Sequence, residues 1–356
     1  MSRNHLWTTA LLVAALACLC ACSTAPSHLA YVTLSNGQVA AYRVDNSSGL
    51  LTAIPGSPYT AGVFPTSIVV HPSGKFAYVA NTGEGDISLF LINAASRALR
   101  EILPRIPAGT NPTSLAIRAD GNELFVANSG SGTISAFAIS SRTANVVALS
   151  GSPFSCGVSP VALAVSASNV LYVVDSASNV VFAFAVNTTT GGLKAVPGSP
   201  FATGGSNPTS VAIDASGKFL YVTNLLSNTI SAFSIASNGG LVAVSGSPFP
   251  AGTGPISVAA APSGESIYVA NQGSNSISKF ALSSTGAPSQ ATGSPFPVGR
   301  GPVFVAPDTG GNFVFAGNGL SGNLSELSAD SSGSLTNVAQ SPYATAATPT
   351  SLATTK

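Results

Sequence analysis

Tyr268-Val269-Ala270-Asn271, followed by Ile277-Ser278-Lys279-Phe280, is the stretch whose reading decides the fold, because near-copies of it run through the whole chain. Its leading aromatic recurs at Tyr31, Tyr78, Phe125, Tyr172, Tyr221, Tyr268 and Phe315, with gaps of 47, 47, 47, 49, 47 and 47 residues. A period that steady marks one structural unit copied seven times. In the unit opening at Pro208, apolar runs at 209–213, 219–223, 230–235 and 241–244 are separated by Gly, Asn and Ser clusters. Runs of that length between turn residues read as short antiparallel strands. No helical period crosses the breaks, so the chain is expected to be all-β.

Each first run opens on a proline: Pro65, Pro112, Pro160, Pro208, Pro255, Pro302 and Pro349. Its alternate positions are small (Ser67 and Val69, Ser114 and Ala116, Ser210 and Ala212, Ser257 and Ala259) or larger (Ile68 and Val70, Leu115 and Ile117). Successive side chains point to opposite sheet faces, so each sheet has a close-approach face and a bulky face. Sheets of that kind stack radially, as in a seven-bladed β-propeller with four antiparallel strands per blade. The first unit lacks a proline strand and the chain finishes on 349–354 with no second strand after it. The C-terminal strand is therefore expected to complete the N-terminal blade and close the ring, which removes the exposed sheet edge.

A second repeated phrase lies between units: Gly56-Ser57-Pro58-Tyr59, Gly151-Ser152-Pro153-Phe154, Gly198-Ser199-Pro200-Phe201, Gly246-Ser247-Pro248-Phe249, Gly293-Ser294-Pro295-Phe296 and Gln340-Ser341-Pro342-Tyr343. It reads as a fixed-φ turn followed by an aromatic wedge between sheets. The second unit carries Pro104-Arg105-Ile106-Pro107 instead.

The 356 residues are 45% hydrophobic and 7% charged, with 36 glycines and 24 prolines, which fits a folded, turn-rich protein and not a disordered one. A formal net charge of +1 without a basic run gives no footprint for nucleic acid or for general electrostatic membrane binding. Arg3, the apolar stretch 11–19 and Leu19-Cys20-Ala21-Cys22 look like a bacterial lipoprotein signal over 1–22, with Cys22 lipidated; an ordinary cleaved signal is the alternative. Residues 23–29 would be a short tether and 30–356 the propeller. Cys156 is the one cysteine beyond the signal, so no internal disulfide can form. The second strand starts at the end of the ring holding the first turns, so the chain would leave there. An anchor at Cys22 then places His71, Lys75, Arg118 and Lys218 toward the membrane, on a tether of roughly 25–30 Å at most. The protein is expected to be exported and held in the cell envelope.

Tyr78-Val79-Ala80-Asn81, Tyr221-Val222-Thr223-Asn224 and Tyr268-Val269-Ala270-Asn271, with His71-Pro72-Ser73-Gly74-Lys75 before the first, resemble the YVTN-type repeat of the 6-phosphogluconolactonase-like seven-bladed propellers. The resemblance covers about residues 30–355 and rests on scaffold positions. It implies a sugar-lactone hydrolase, or the related chemistry of muconates and their lactones. Such a reaction needs a base or acid for a proton and a cation or donor pair for the carboxylate or oxyanion. The mature chain offers His28 and His71, and no set of catalytic residues carries over position by position.

Propeller ligands are expected at the loops between blades and between second and third strands. There the candidates are Arg300 and the strand-end residues Asn81, Asn128, Asp175, Asn224, Asn271 and Asn318, with Glu84 and Asp86 nearby. One arginine is too few for a phosphorylated sugar, so a small neutral ligand or an envelope protein is the expected partner. Glu84 and Asp86 lack a third metal ligand, Cys156 lacks a neighbouring His, and neither metal nor cofactor is expected. Gly317-Asn318-Gly319-Leu320-Ser321-Gly322 matches a dinucleotide fingerprint, but a strand follows it where a helix would be needed. At the opposite end, His71, Arg118, Ser166, Asp214, Ala261, Asp308 and Thr355 form a ring six residues past each proline, and capping of turns is their expected role. The reading is thus a lipid-anchored propeller acting as a binding scaffold, with lactone hydrolysis at the Asn-rich face, Arg300 holding the anion, as the alternative.

Overall fold

The computed structural model describes residues 27–140, 142–330 and 334–355, and these build seven antiparallel sheets standing as blades around a ring. Blades are numbered here by their second-strand aromatic, from Tyr31 in blade 1 to Phe315 in blade 7. Blade 5 is representative, with strands Pro208–Ile213, Phe219–Asn224, Thr229–Ile235 and Leu241–Ala243 from the axis outward. Blade 1 joins the two ends of the chain. Its innermost strand is Pro349–Thr354, paired to Ser27–Leu34 through Ala30↔Thr354, Tyr31↔Ala353, Val32↔Leu352, Thr33↔Ser351 and Leu34↔Pro349. The strand begins at Ser27, three residues before the expected boundary. Ser27, His28 and Leu29 pair with Asp45, Val44 and Arg43, so the last part of the expected tether belongs to the ring. The 1–22 segment and Cys22 lie outside the described residues.

The second strands are buried along almost their whole length, as in Phe76–Asn81, because each sheet is covered on both faces by its neighbours. That is why they read as continuous apolar runs, without polar alternation. Alternation decides which neighbour each residue meets. Ala77 and Val79 pack toward blade 1 with Tyr31, Val39 and Ala41, whereas Tyr78 and Ala80 pack toward blade 3 with Leu115, Leu124 and Val126. The tyrosine hydroxyl passes through this apolar layer to a carbonyl in the next blade's outer turn. Tyr31 donates to Arg97 O (3.2 Å), Tyr78 to Ala144 O (3.3 Å), Tyr172 to Gly239 O (2.9 Å) and Tyr221 to Gly286 O (2.8 Å). A buried phenol keeps its hydroxyl only where it finds such a partner.

Close approach at the inner strands has a polar reason as well as a steric one. Ser67, Ser114, Ser210 and Ser257 each accept a backbone N–H from the next blade, from Leu115, Leu163, Val258 and Val305 at 3.1 to 3.3 Å. The threonine after the opening proline reaches the next blade's proline carbonyl: Thr350 to Pro65 at 2.6 Å, Thr66 to Pro112 at 3.2 Å, Thr113 to Pro160 at 3.4 Å and Thr209 to Pro255 at 3.4 Å. Small polar side chains thus join blades that larger ones would hold apart.

The Gly-Ser-Pro phrase breaks the outermost strand in two. In six blades a three-residue strand and a two-residue strand, such as Leu241–Ala243 and Phe249–Pro250, both pair with the third strand. Between them the serine hydroxyl accepts the third-strand N–H left open, from Ala41 to Ser57, Ala136 to Ser152, Ala183 to Ser199, Ala232 to Ser247, Lys279 to Ser294 and Glu326 to Ser341, at 2.8 to 2.9 Å. Blade 2 has no such phrase because its outer strand, Leu99–Pro107, runs unbroken past a bulge.

Candidate functional site

On the Asn-rich side, the second strand of blades 2 to 7 ends in the residue singled out from sequence, blade 1 ending on Leu34, and the structure places all six beneath the face. Asn81, Asn128, Asp175, Asn224, Asn271 and Asn318 are each 0% exposed. The Nδ2 of each Asn donates to the third strand: Asn81 to Asp86 and Ser88, Asn128 to Thr133 and Ser135, Asn224 to Thr229 and Ser231, Asn271 to Ser276 and Ser278, Asn318 to Asn323 and Ser325. Asn81 and Asn128 also accept the N–H of Gly62 and Gly109 from the linker above (3.1 and 3.0 Å). Those glycines lie so close that a Cβ on Gly109 would stand 2.6 Å from the Asn128 carboxamide carbon; Gly62, Gly205, Gly252 and Gly299 are equally tight against their own Asn. At Asn81 and Asn128 the amide latches strand end to linker, whereas Oδ1 of Asn224, Asn271 and Asn318 is buried without a hydrogen-bond partner among the described residues. Asn128→Ala is expected to lower stability by about 2 kcal/mol, since it leaves the Gly109 N–H and the buried Ser135 hydroxyl without their partner, while Thr133 keeps Ser131. Urea unfolding of the variant checks this, and an unchanged midpoint would contradict the latch.

Asp175 holds the same place as an acceptor. Its Oδ2 takes the N–H of Val158 (2.5 Å) and Ser159 (2.9 Å), and its Oδ1 takes that of Ser178 (2.8 Å). Cys156 is buried nearby, and burial, with the Asp175 charge second, pushes its thiol up to about 12. A thiol held protonated is no nucleophile at neutral pH. Glu84 accepts Val63 N–H at 3.0 Å and the Arg105 guanidinium at 2.6 Å, while Arg105 also bonds Glu101 at 2.7 Å and the Ala61 carbonyl at 2.9 Å. Arg105 was legible only as the break in the Gly-Ser-Pro phrase. Arg300 stays exposed, its backbone N–H on Ser321 Oγ at 2.7 Å. Leu320 (74%) lies beside it, and other loop tips on this side carry exposed apolar side chains: Val63 (55%), Phe64 (48%), Val158 (67%) and Leu226 (70%).

At the opposite end, four members of the ring six residues past each proline, His71, Ser166, Asp214 and Asp308, cap turns, whereas Ala261 has no polar side chain and Arg118 pairs with acids. His71 Nε2 faces the Gly121 carbonyl at 3.0 Å, so it carries the proton, and Nδ1 accepts the Ser73 N–H at 3.1 Å. Arg118 bonds Glu123 at 2.5 Å and Asp120 at 2.7 Å. Ser166, Asp214 and Asp308 accept N–H groups of Val170, Phe219 and Phe313.

Two residues of the outer sheets were missed from sequence. Glu326 and Lys279 face Phe315 and Tyr268 across the sheet, where blades 1, 3, 4 and 5 carry Ala41, Ala136, Ala183 and Ala232 opposite their aromatics. Lys279 Nζ lies 5.9 Å from the Tyr268 ring centroid, and burial lowers its pKa. Glu326 is 0% exposed and neither carboxyl oxygen has a hydrogen-bond partner among the described residues. Burial, with Asp308 second, pushes its carboxyl up to about 8. A misfit with the repeat was the available signal.

The sequence matches the family described as lactonase, 7-bladed beta-propeller, over residues 27–153, 141–255 and 242–352. No curated protein sequence matches it. Among solved structures it is similar to a putative 6-phosphogluconolactonase from Bacteroides uniformis (TM-score 0.82, 18% identity, 92% of this chain and 99% of that one). A putative 6-phosphogluconolactonase from Bacteroides fragilis gives TM-score 0.81 at 18% identity, covering 94% of this chain and 99% of that one. The periplasmic gluconolactonase of Pseudomonas aeruginosa gives 0.81 at 20% identity, covering 93% and 99%. At these identities the likeness is one of fold.

Proposed function

Because the chain belongs to the lactonase family of seven-bladed β-propellers, we propose that it works in the cell envelope as a binding scaffold, anchored through Cys22 and presenting its Asn-rich side to a protein partner. The observation that carries this reading is the burial of Asn81, Asn128, Asp175, Asn224, Asn271 and Asn318 under their linkers. The Nδ2 of each Asn is bonded to its own third strand, and the loop tips that meet solvent on this side carry Val63, Phe64, Val158, Leu226 and Leu320 as well as the exposed Arg300. The partner that fits is a protein surface with apolar side chains and an acid opposite Arg300, since apolar patches rimmed by polar loops serve association. The anchor leaves from the other end, which keeps this side open.

Photocrosslinkers at Leu226 and Leu320, compared with Val147 and Val242 on the outer edge, test it in intact envelopes. Both loop positions are expected to trap the same protein, the edge positions none, and Arg300→Glu is expected to abolish the crosslink. Equal trapping at all four positions would overturn the proposal. Lactone hydrolysis is the second reading, favoured by the lactonase names of the structural neighbours. Turnover of a panel of lactones that disappears in Arg300→Ala would replace the scaffold reading with it.

A further inference from the structure

The end of the ring where the described chain begins holds a cavity of about 590 Å³ walled by blades 1, 2, 3 and 7. Its polar wall carries Arg43, Arg97, Ser27, Ser73, Thr309 and Thr355, and its apolar wall includes Leu29, Val70 and Pro72. Arg43 donates to Ser27 Oγ at 3.3 Å, and neither it nor Arg97 has an acidic partner among the described residues. Arg97 is held from below: its carbonyl accepts the hydroxyl of the fully buried Tyr31, and its N–H bonds Asn93 O at 2.9 Å. Two acids adjoin the wall in sequence: Asp308 turns its oxygens inward to Gly310 and Phe313 N–H, and Asp120 is paired with Arg118 at 2.7 Å. His71 lines the wall with both ring nitrogens engaged, by Ser73 and by the Gly121 carbonyl.

We propose that this cavity seats the phosphate of an anionic membrane lipid, with Arg43 and Arg97 as its two forks and the hydroxyls contacting a hydroxylated headgroup. Two guanidinium groups from separate blades can each take one non-bridging oxygen of a lipid phosphodiester, with ester and headgroup hydroxyl oxygens left for the remaining donors. The volume lies within the usual range for small-ligand pockets, and the apolar wall meets the part of the lipid below the headgroup. A basic pocket of this kind acts locally and does not need the net positive charge that the chain lacks. Ser27 lines the cavity five residues after Cys22, so an anchor would hold the pocket at the bilayer surface. The inference rests on the anchored reading for that last point alone.

The test uses the mature chain from Ser23, which keeps every strand of the ring and carries no lipid. Flotation with phosphatidylcholine vesicles, with and without phosphatidylglycerol, is expected to recover the protein only with the anionic lipid. Arg43→Ala with Arg97→Ala is expected to cut binding at least about tenfold, while Lys75→Ala with Lys218→Ala, an equal loss of charge on the same end, changes it less than about twofold. All four side chains are exposed, and unchanged melting of both variants shows the ring intact. Equal losses in the two variants would overturn the site in favour of general electrostatics. Protection by glycerol phosphate without any vesicle binding would reassign it to a soluble phosphate ester. Lipidation of Cys22 is read separately from the mass of the envelope form.

Discussion

Removal of residues 349–356 is expected to leave a chain without a cooperative melt, lacking near-ultraviolet dichroism and eluting as aggregate. The deleted strand does two things at once. It pairs with Ala30–Leu34 in blade 1, and it stands between blades 7 and 2, where Thr350 Oγ1 lies 2.6 Å from the Pro65 carbonyl and 2.8 Å from Thr33 Oγ1. Without it, Ala30, Tyr31, Val32 and Leu34, all 0% exposed in the closed ring, become the edge of an open sheet. Each large side chain uncovered loses about 2 kcal/mol, and whole domains are stable by only about 5–15 kcal/mol. A bare apolar edge also templates pairing with other chains. A truncated protein that melts within a few degrees of the full chain would show that seven blades hold without the shared one. The milder Thr350→Val should fold and lose about 1 kcal/mol, which separates the latch from the strand.

Closure was legible because it depends on where strands begin and stop along the chain, and periodicity records that directly. The aromatic at 31, 78, 125, 172, 221, 268 and 315 marks the one strand covered on both sides, so its composition follows from its position in the stack. Asn271 and its counterparts were placed at the correct strand end, yet their burial was not legible. It is set by a linker glycine some twenty residues upstream, such as Gly252 over Asn271, which touches the amide only after the next blade has docked. The same holds for Arg105, whose partners are Glu101 of its own strand and Glu84 in the turn between the second and third strands, brought together at the break in a repeated phrase. The Ser67 and Ser114 positions were read as small, and small they are, but their hydrogen bonds run to neighbours 48 and 49 residues away. Local pattern gives the unit; contacts between units decide what each polar side chain is for.

Glu326 is where the repeat is broken most sharply, and its replacement by Gln is expected to remove much of the protein's pH-dependent loss of stability on the alkaline side. In blades 1, 4 and 5 a tyrosine hydroxyl spans to the next blade's turn and an alanine lies opposite the tyrosine. Blade 7 has Phe315, which lacks the hydroxyl, and Glu326 fills the vacated space against the Gly49 turn of blade 1. Among the described residues the groups around it offer no compensating charge: Asp308 repels its ionised form, Tyr343 is itself held neutral, and the His28 ring, 3.9 Å from Asp308, faces that carboxylate and bonds Asn46. The folded carboxyl, pushed up from 4.5 to about 8, keeps its proton at neutral pH. A pKa raised in the folded state means that the unfolded chain releases its proton first. Stability from this group is therefore full below pH 4.5, falls by about 1.4 kcal/mol per unit as pH rises, and is lost by about pH 8, roughly 4 kcal/mol in all. Glutamine keeps the shape and cannot ionise, so the variant's urea-derived stability should match the parent near pH 5 and exceed it by about 3 kcal/mol at pH 8. Parallel curves for the two proteins from pH 5 to 8 would mean that Glu326 is solvated or paired in the folded state. Phe315→Tyr combined with Glu326→Ala, which rebuilds the arrangement of blades 1, 4 and 5, should flatten the curve in the same way, because the seam between blades 7 and 1 then carries a hydroxyl in place of an acid.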